Sequence, residues 1–318
     1  MSINDKKISA IIACYRDEQA IPIMHERLTK VFREIGCKYE IIFVNDGSPD
    51  NTEHVLEELA AKDTHVVAIT HSRNFSSQNA FMSGMTIASG DAVVLLDGDL
   101  QDPPELIAEF AKKWQEGFAV VYGIREKREA SLFLRISYKL FYRVFSKLSY
   151  IKIPRDAGDF SLMDRKVVEA LTAMPERDMF IRGMRAWVGF KQTGVPYFRP
   201  ERMFGVTTNS LLKNVRWARK GIFSFSYEPL ELVFYFAILV SFVTFLAIIA
   251  YIILYFLYPN QPKGISSIIV LILFFGSVQL LSLSIIGEYL GRIFEEVKQR
   301  PKFIVKNILN KPEKTDKN

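Results

Sequence analysis

Two aspartates stand two positions apart where an apolar run ends, in the stretch LLDGDLQDPPELI at residues 95–107. Carboxylates this close repel each other unless a cation lies between them. Asp97 and Asp99 therefore predict a site for a hard divalent ion, Mg2+ or Mn2+, which one or two carboxylates can hold together with the phosphates of a substrate. A turn would need only one such side chain, with Gly98 beside it, so turn formation does not account for the pair.

The acids that follow have a structural interpretation. Asp102 precedes two prolines and Glu105, which is the pattern of a helix start. In that interpretation Asp102 is the N-cap, and Glu105 lies near the positive end of the helix dipole. We therefore expect Asp102 to stabilise a helix, by about 1 kcal/mol, and to take no direct part in chemistry.

Five apolar runs rich in β-branched residues alternate with helical stretches in the first part of the chain. The runs cover residues 8–14, 39–45, 65–70, 91–97 and 119–124. Strands that alternate with helices predict an α/β fold with a mostly parallel sheet covered on both faces. Ligands bind such sheets at the carboxyl ends of the strands. Four polar segments follow strands directly and should meet there: CYRDEQ, NDGSPDN, HSRNFS and DGDLQD.

Two long uncharged stretches follow residue 229. Residues 232–258 and 265–286 contain no charged side chain, and each stretch exceeds the ~20 residues that cross the hydrocarbon core as a helix. A pair of buried core helices is the alternative, which those lengths disfavour. We predict a transmembrane hairpin with helices at residues 230–258 and 265–287, joined by a short loop.

Basic residues flank the hairpin on one side. Bases precede it in the juxtamembrane segment 211–229 and follow it in the tail 288–318, whereas only Lys263 lies in the loop. The positive-inside rule then places residues 1–210 and both termini in the cytoplasm. Segment 211–229 mixes bases with aromatic residues, so we interpret it as an amphipathic helix on the membrane surface. The basic tail has a similar pattern, and an ordinary solvated helix is the alternative for both.

Composition sets few further limits. The chain has 318 residues, a formal net charge of +6 and two cysteines, Cys14 and Cys37. Two cysteines are too few for a disulfide framework. The mild basic excess suits anionic lipid, phosphate or nucleic acid, and the two predicted spans argue against nucleic acid.

Several stretches carry a resemblance to a known family: EIIFVNDGSPDNT, the segment from HSRNFS to DGDLQDPPELI, PRDAGDFSLMDRKVVEAL, MPERDMFIRGMRAWVGF and IGEYLGRIFEEVKQRP. Together they resemble the polyprenyl-phosphate glycosyltransferases of glycosyltransferase family 2. Among these, the sequence is most similar to the bactoprenol (undecaprenyl-phosphate) glucosyltransferases, which are related to dolichol-phosphate mannose synthase. The resemblance covers about residues 8–305.

What the resemblance implies is a GT-A nucleotide-sugar fold that binds Mg2+ or Mn2+. The implied activity is inverting transfer of a sugar from a nucleotide-diphosphate donor to polyprenyl (undecaprenyl) phosphate. UDP-glucose is the first choice of donor. The reaction would take place on the cytoplasmic face of the bacterial inner membrane and would give a polyprenyl-monophosphate sugar for cell-envelope glycosylation.

The resemblance also assigns residues to roles. The metal and diphosphate segment would be Asp97, Asp99 and Gln101. The nucleotide sugar would be bound by Ala13, Tyr15, Asp17, Asp46, Asp97, Gly98 and Arg202. The acceptor phosphate would be bound by Arg125, Arg135, Ser137 and Lys139. The catalytic carboxylates would be Asp159 and Asp156, both in the segment DAGDF.

The residues themselves support two of these roles and leave alternatives. The stretch YGIREKREASLFLRISYKLFYR mixes bases with aromatic residues, which suits a lipid phosphate at a membrane. A solvated basic helix face is the alternative. Asp159 either removes a residual proton from the acceptor or holds an arginine in place, because a phosphate monoester is mostly ionised at pH 7. Helix capping is the structural alternative for Asp159.

Other functions stay open on the sequence. A processive polysaccharide synthase would share the first half of the chain, but such enzymes usually carry Gln-x-x-Arg-Trp where this chain has KNVRW at 213–217. N-acetylglucosamine, galactose, mannose or aminoarabinose could replace glucose as the transferred sugar. A nonenzymatic membrane scaffold would not need Asp-x-Asp. The expected partners are a nucleotide sugar, a polyprenyl phosphate and the bilayer, without nucleic acid, and self-association as a homo-oligomer is left open.

Overall fold

One eight-stranded sheet forms the centre of the part of the chain that the structure describes. The structure is a computed structural model, which describes residues 3–126, 154, 157–200, 203–204, 226–257 and 264–311. The strands are β1 (Lys7–Cys14), β2 (Lys38–Asn45), β3 (Val66–His71), β4 (Ala92–Asp97), β5 (Val120–Glu126), β6 (Ala157–Asp164), β7 (Gln192–Phe198) and β8 (Val305–Leu309). Their order across the sheet is β7-β5-β6-β4-β1-β2-β3-β8.

Most strands of the sheet run in the same direction. β1 pairs in parallel with β2 and β4, β2 with β3, and β5 with β7. β6 is antiparallel to both β4 and β5, so β5 runs the same way as β4. β8 is antiparallel to β3 at the edge. The prediction of a mostly parallel α/β sheet is therefore confirmed, and all five predicted strands are present with ends shifted by one or two residues.

Helices cover both faces of the sheet. They are α1 (Ala20–Ile35), α2 (Thr52–Lys62), α3 (Ser77–Ile87), α4 (Ile107–Gln115), α5 (Arg165–Ala173) and α6 (Ile181–Trp187). Alternate side chains of β1 enter two different cores: Ile8 and Ile12 join the core that includes α1, whereas Ile11 joins the core that includes α3. Burial on both faces explains why the central strands are nearly continuous apolar runs.

The sequence of α1 shows why these segments are helical. Its buried residues include Ile21, Met24, Leu28 and Phe32, which recur every three or four positions and so lie on one side of a helix. The helix ends at Gly36, whose φ of 73° is left-handed and whose N–H donates to the carbonyl of Phe32. A side chain at that position would be strained, so glycine provides the stop.

Two long apolar helices follow the sheet domain: α7 (Glu228–Leu257) and α8 (Ile265–Val297). They contact each other, and their apolar side chains are largely exposed, for example Phe242 and Leu271. Over Glu228–Leu254 and Val270–Val297 both helices are long and apolar enough to cross a membrane. The two predicted apolar helices are thus present. The loop at 258–263 and most of segment 211–229 lie outside the described residues.

The tail after the second apolar helix joins the sheet domain. α8 continues ten residues beyond the predicted end at 287, to Val297. Residues 305–309 then form β8, which pairs with β3 at the edge of the sheet. The chain therefore returns from the second apolar helix to the edge of the sheet, beside the strand that leads into the polar segment HSRNFS.

Candidate functional site at the carboxyl edge of the sheet

The polar segments predicted to meet do so at one edge of the sheet. Ala13 lies beside Asp97 in the register of β1 and β4, and beside Val44 in the register of β1 and β2. Tyr15 and Asp17 follow β1 directly, and Asp46 follows β2. Because these strands are parallel, their carboxyl ends bring the three segments together.

Gly98 allows two of these segments to pack closely. Its N–H donates to the carbonyl oxygen of Ala13 at 3.0 Å. A Cβ at this position would lie 2.9 Å from Oδ2 of Asp17 and 3.0 Å from that carbonyl oxygen. Oδ2 of Asp17 also accepts from the N–H of Tyr15 at 2.9 Å. The predicted nucleotide-binding residues Ala13, Tyr15, Asp17 and Gly98 therefore form one contact set.

Arg199 lies near both Asp97 and Asp99. Nη2 of Arg199 lies 3.9 Å from Oδ2 of Asp97 and 3.8 Å from Oδ2 of Asp99. Burial, followed by the charges of Asp102 and Asp99, raises the pKa of the Asp97 carboxyl to about 8. Arg199 lowers that pKa but does not offset the excess of negative charge. The pair therefore favours a further cation.

The donor atoms at this point suit a hard divalent ion held partly by substrate. Among the described residues, no three side chains of His, Cys, Asp or Glu converge as a complete metal site. Asp97 and Asp99 supply carboxylate oxygens only, and Gln101 donates its side-chain amide to the carbonyl oxygen of Pro200 at 3.1 Å. Mg2+ and Mn2+ are commonly held by one or two carboxylates while phosphates and waters complete the shell. The residues present fit that mode of binding.

One carboxylate oxygen of Asp46 has hydrogen-bond partners in the described structure, and the other has none. Oδ1 accepts from the N–H of Phe75 at 2.8 Å and lies 2.9 Å from Nδ1 of His71. Oδ2 is buried and has no hydrogen-bond partner among the described residues. A buried acceptor without a partner is uncommon in proteins and suits a ligand N–H. Asp46 was predicted from the sequence as a site residue, whereas its neighbour His71, in HSRNFS, was not.

Asp159 lies near Asp97, on the neighbouring strand β6. The observed β4–β6 register ends at Leu95 and Ser161, and the charge of Asp159 contributes to the raised pKa of Asp97. Oδ1 of Asp159 accepts from Nε of Arg182 at 3.0 Å, and Oδ2 accepts from Nη2 of Arg182 and from the amide of Gln78. Burial alone would raise the pKa of Asp159, but the charge and hydrogen bonds of Arg182 bring it below its usual value. Of the two predicted roles for Asp159, the structure shows the contact with an arginine.

Asp102 does not cap a helix, so that prediction is wrong. The 3-10 turn at Pro104–Leu106 has Pro103 at its cap position and no side-chain capping hydrogen bond. Asp102 is instead buried, and its Oδ1 accepts from the hydroxyl of Tyr197 at 2.6 Å. Glu105 does lie in the first turn, where it forms a two-pronged ion pair with Arg27.

Arg125 lies near Asp102 and Asp159. It stands opposite Tyr197 in the β5–β7 register, and its Nε donates to the Tyr197 hydroxyl at 3.3 Å. A Cβ on Gly158 would lie 3.0 Å from Nη2 of Arg125, so glycine leaves room for the guanidinium. The charge of Arg125 acts on both Asp102 and Asp159. Arg125, which the sequence predicts to bind the acceptor phosphate, therefore lies among the buried carboxylates of the site.

Three arginines of the site were not predicted from the sequence: Arg182, Arg185 and Arg199. Arg185 is fully buried, and its Nη2 donates to the carbonyl oxygen of Gly158 at 3.3 Å. Burial lowers the pKa of Arg185 to about 10. Arg182 and Arg185 stand three positions apart in the apolar stretch MFIRGMRAW, which is the one sequence signal that could have indicated buried arginines.

Five other predicted site residues lie outside the described part of the chain: Arg135, Ser137, Lys139, Asp156 and Arg202. Their roles stay predictions. The described residues that were predicted for the metal, the nucleotide and the catalytic carboxylate are together at one edge of the sheet.

Comparisons with known proteins cover nearly the whole chain. Residues 9–172 match the family described as Glycosyl transferase family 2. The chain is 43% identical over 298 residues to the uncharacterized glycosyltransferase YkcC of Bacillus subtilis (strain 168), covering 93% of this chain and 92% of that protein. It is 40% identical over 303 residues to the bactoprenol glucosyl transferase of Shigella phage SfV, covering 95% of this chain and 98% of that protein.

Proposed function

This chain belongs to glycosyltransferase family 2 and is a glycosyltransferase with a GT-A-like α/β fold, and on that premise we propose its reaction. It transfers a sugar from a nucleotide-diphosphate donor, first of all glucose from UDP-glucose, to the phosphate of a polyprenyl lipid such as undecaprenyl phosphate. One observation carries the proposal. Asp97, Asp99 and the unpartnered oxygen of Asp46 share one sheet edge, in a chain with two helices of membrane length.

The donor side consists of the residues at the ends of β1, β2 and β4. Oδ2 of Asp46 accepts from the base, and Tyr15 and Asp17 line the base and ribose. Asp97 and Asp99, with Gln101, would hold Mg2+ or Mn2+, which supplies positive charge to the diphosphate as it leaves. Arg199 lies beside the two carboxylates and is placed to contact the same diphosphate.

On the acceptor side, Arg125 is the described residue that would bind the lipid phosphate. An oxygen of that phosphate attacks the anomeric carbon, the bond from that carbon to the diphosphate breaks, and the configuration inverts. The acceptor phosphate has a second pKa near ~6, so it is mostly ionised at pH 7 and needs little help from a base. Asp159, with both oxygens occupied and a lowered pKa, instead holds Arg182 in position next to the reacting groups.

The membrane location follows from the acceptor. A polyprenyl chain lies in the bilayer, so an enzyme that uses it gains from an anchor that fixes its site near the headgroups. α7 and α8 serve as a hairpin of two spans, with the sheet domain and both termini in the cytoplasm, in the inner membrane of a bacterium. The similar protein of Shigella phage SfV is named for bactoprenol and glucose, which supports this acceptor and this sugar.

The test uses the full chain, purified in detergent, with undecaprenyl phosphate, Mn2+ and radiolabelled nucleotide sugars. The panel contains UDP-glucose, UDP-galactose, UDP-N-acetylglucosamine, UDP-aminoarabinose and GDP-mannose. Label that moves to the organic phase as a single sugar supports the proposal, and the donor that gives it fastest identifies the sugar. Label in a polymer would mean a processive synthase. No product with any donor, from protein that is folded, would refute the proposal.

A further inference from the structure

The chain after α8 is fixed to the sheet domain next to the donor side. The N–H of Ser72 donates to the carbonyl oxygen of Ile304 at 2.9 Å, and the pairing continues along β3 and β8. The amide of Asn310 donates to the carbonyl oxygens of Ala60 and Val66 at 2.7 and 3.0 Å. The tail is therefore attached to β3 and to the end of α2 at several points between residues 304 and 310.

The end of α8 is also held to the sheet domain. Nη1 of Arg292 lies 3.0 Å from Oδ2 of Asp178, and Oε1 of Glu296 accepts from the N–H of Arg177 at 2.7 Å. The stretch between α8 and β8 thus has attached ends on both sides, and Phe303 lies within it.

Phe303 packs directly on a histidine of the site. Its ring stacks on the ring of His71 with centroids 5.4 Å apart and planes 9° from parallel. The ring of Phe75 meets His71 edge-on at 5.8 Å. The side chain of His71 is fully buried, so these two phenyl rings and the sheet limit its orientation.

His71 in turn fixes the carboxylate that faces the donor. Its Nδ1 lies 2.9 Å from Oδ1 of Asp46, and the N–H of Phe75 donates to the same oxygen at 2.8 Å. With two partners on Oδ1, the plane of the carboxylate is set. Oδ2 is left buried and without a partner among the described residues, which directs it to a ligand.

We propose that the tail beyond the second apolar helix is part of the donor site. Phe303 holds His71 in place, and His71 holds Asp46 in the orientation in which its carboxylate accepts a hydrogen bond from the base. His71 and Phe303 are positioning residues in this scheme. The ligand is a nucleoside diphosphate whose base has a ring N–H, since the unpartnered Oδ2 of Asp46 offers a hydrogen-bond acceptor. Uracil has that N–H, whereas cytosine has an acceptor nitrogen at the same position. The inference rests on the donor side of the proposed function.

The experiment measures binding of UDP and of CDP to the full chain in detergent with Mn2+, by calorimetry. Phe303→Ala should weaken UDP binding ~2- to 10-fold, the range for loss of an aromatic pair. His71→Ala should weaken it ~10- to 100-fold, as expected for a lost hydrogen bond to a carboxylate. CDP binding should change little, so the ratio of the two affinities should fall. The double variant should resemble His71→Ala alone, because the two residues act in series.

Ile308→Ala is the matched control. Ile308 lies on the same tail strand opposite Ile69, is partly buried, and has no part in the His71 stack. It should keep the wild-type ratio of UDP to CDP affinity. Phe303→Leu keeps the apolar bulk but has no stacking ring. If Phe303→Ala does not fold, Phe303→Leu should fold, and it should still lower the ratio of UDP affinity to CDP affinity.

Two outcomes separate the inference from the function on which it rests. If the wild-type protein binds UDP tightly, and folded Phe303 variants keep its UDP-to-CDP ratio or lose both affinities equally, the tail has no role in reading the base. If the wild-type protein binds neither nucleotide, the donor assignment itself fails and the inference falls with it.

Discussion

Replacing Asp102 by alanine should lower both the stability of the protein and its use of the acceptor, because this carboxylate is buried among partners that depend on it. Its Oδ1 accepts the hydroxyl of Tyr197 at 2.6 Å, and that hydroxyl accepts from Nε of Arg125 at 3.3 Å. Without Asp102, the tyrosine hydroxyl loses its acceptor and Arg125 loses a nearby negative charge. The guanidinium would then shift toward the carboxylates that remain.

The size of the effect distinguishes this arrangement from a helix cap. A lost cap costs about 1 kcal/mol. Removing the acceptor of a buried hydrogen-bond donor costs ~1 to 3 kcal/mol. Arg125 also loses a nearby carboxylate but keeps the charges of Asp97 and Asp159 near it, so we expect the upper end, ~2 to 3 kcal/mol. If Arg125 binds the acceptor, its displacement should lower kcat/KM for undecaprenyl phosphate by ~10- to 100-fold.

The assay compares thermal unfolding in detergent and initial rates at varied acceptor concentration. Tyr197→Phe, which removes only the hydroxyl, should show the same effects at a smaller size. Glu105→Gln is the control, because Glu105 lies in the same turn but is largely exposed in its pair with Arg27, where ion pairs contribute ~0 to 1 kcal/mol. If Asp102→Ala changed stability and acceptor efficiency no more than Glu105→Gln does, Asp102 would not be the carboxylate that holds Tyr197 and Arg125 in place.

Four further predictions use different measurements. Asp97→Asn or Asp99→Asn should abolish transfer and weaken UDP-sugar binding in Mn2+, and normal activity under controlled chelation would contradict the metal site. A reporter at the carboxyl terminus and one in the loop 259–264 should report opposite sides of the membrane; the same side for both would exclude two spans. Arg125→Ala should lower kcat/KM for the acceptor ~10- to 100-fold while donor affinity stays near wild type. Arg125→Lys should recover part of the lost acceptor efficiency. If only donor affinity were lost, Arg125 would belong to the donor site instead. Burial alone would raise the pKa of Asp63, but hydrogen bonds from two histidines lower it to about 2. Asp63 therefore stabilises the fold above its unfolded pKa near ~4, and this stabilisation is lost as the pH falls toward 2. Asp63→Asn should reduce the fall of the melting temperature over that pH range, and a pH profile equal to that of the wild type would refute this role.

The part of the site that could be predicted from the sequence lies at the ends of the central strands. Those strands are buried on both faces, so they are long apolar runs, and the polar residue that ends each run marks the carboxyl edge of the sheet. Asp97 was selected on this pattern, Asp46 was assigned by the family resemblance within a segment that the pattern singled out, and both lie at that edge in the structure. Their identification required no knowledge of which strands are neighbours.

The strands β6, β7 and β8 escaped prediction for local reasons. β6 reads AGDFSLMD, with glycine and two aspartates, and β7 reads QTGVPYF, with a proline inside the strand. β8 reads VKNIL and pairs with β3, more than 230 residues earlier in the chain. Such pairing depends on contacts between distant segments, which no local pattern records.

Asp102 shows how a correct local rule can give a wrong assignment. The run DPP followed by Glu105 satisfies every sequence criterion for a helix start, and a turn of 3-10 helix does begin there. The partner that decides the role of Asp102 is Tyr197, which is 95 residues away in the sequence. The turn and the position of Glu105 in it could be predicted from neighbouring residues, but the burial of Asp102 against Tyr197 could not.

The balance of charge in the described part of the site supports the proposal of a metal and of further acceptor-binding bases. Four carboxylates and four guanidinium groups meet there: Asp97, Asp99, Asp102 and Asp159 with Arg125, Arg182, Arg185 and Arg199. Their formal charges cancel, and Asp17 and Asp46 add two further carboxylates at the same edge before any substrate arrives. A diphosphate donor and a lipid phosphate bring ~3 to 4 further negative charges into the same buried space. In the proposed reaction a divalent ion at Asp97 and Asp99 would offset two of them, and we expect bases of the stretch after Arg125 to offset the rest on the acceptor side. Chelation of the metal and removal of charge in that stretch should therefore each stop transfer, and one should not compensate for the other.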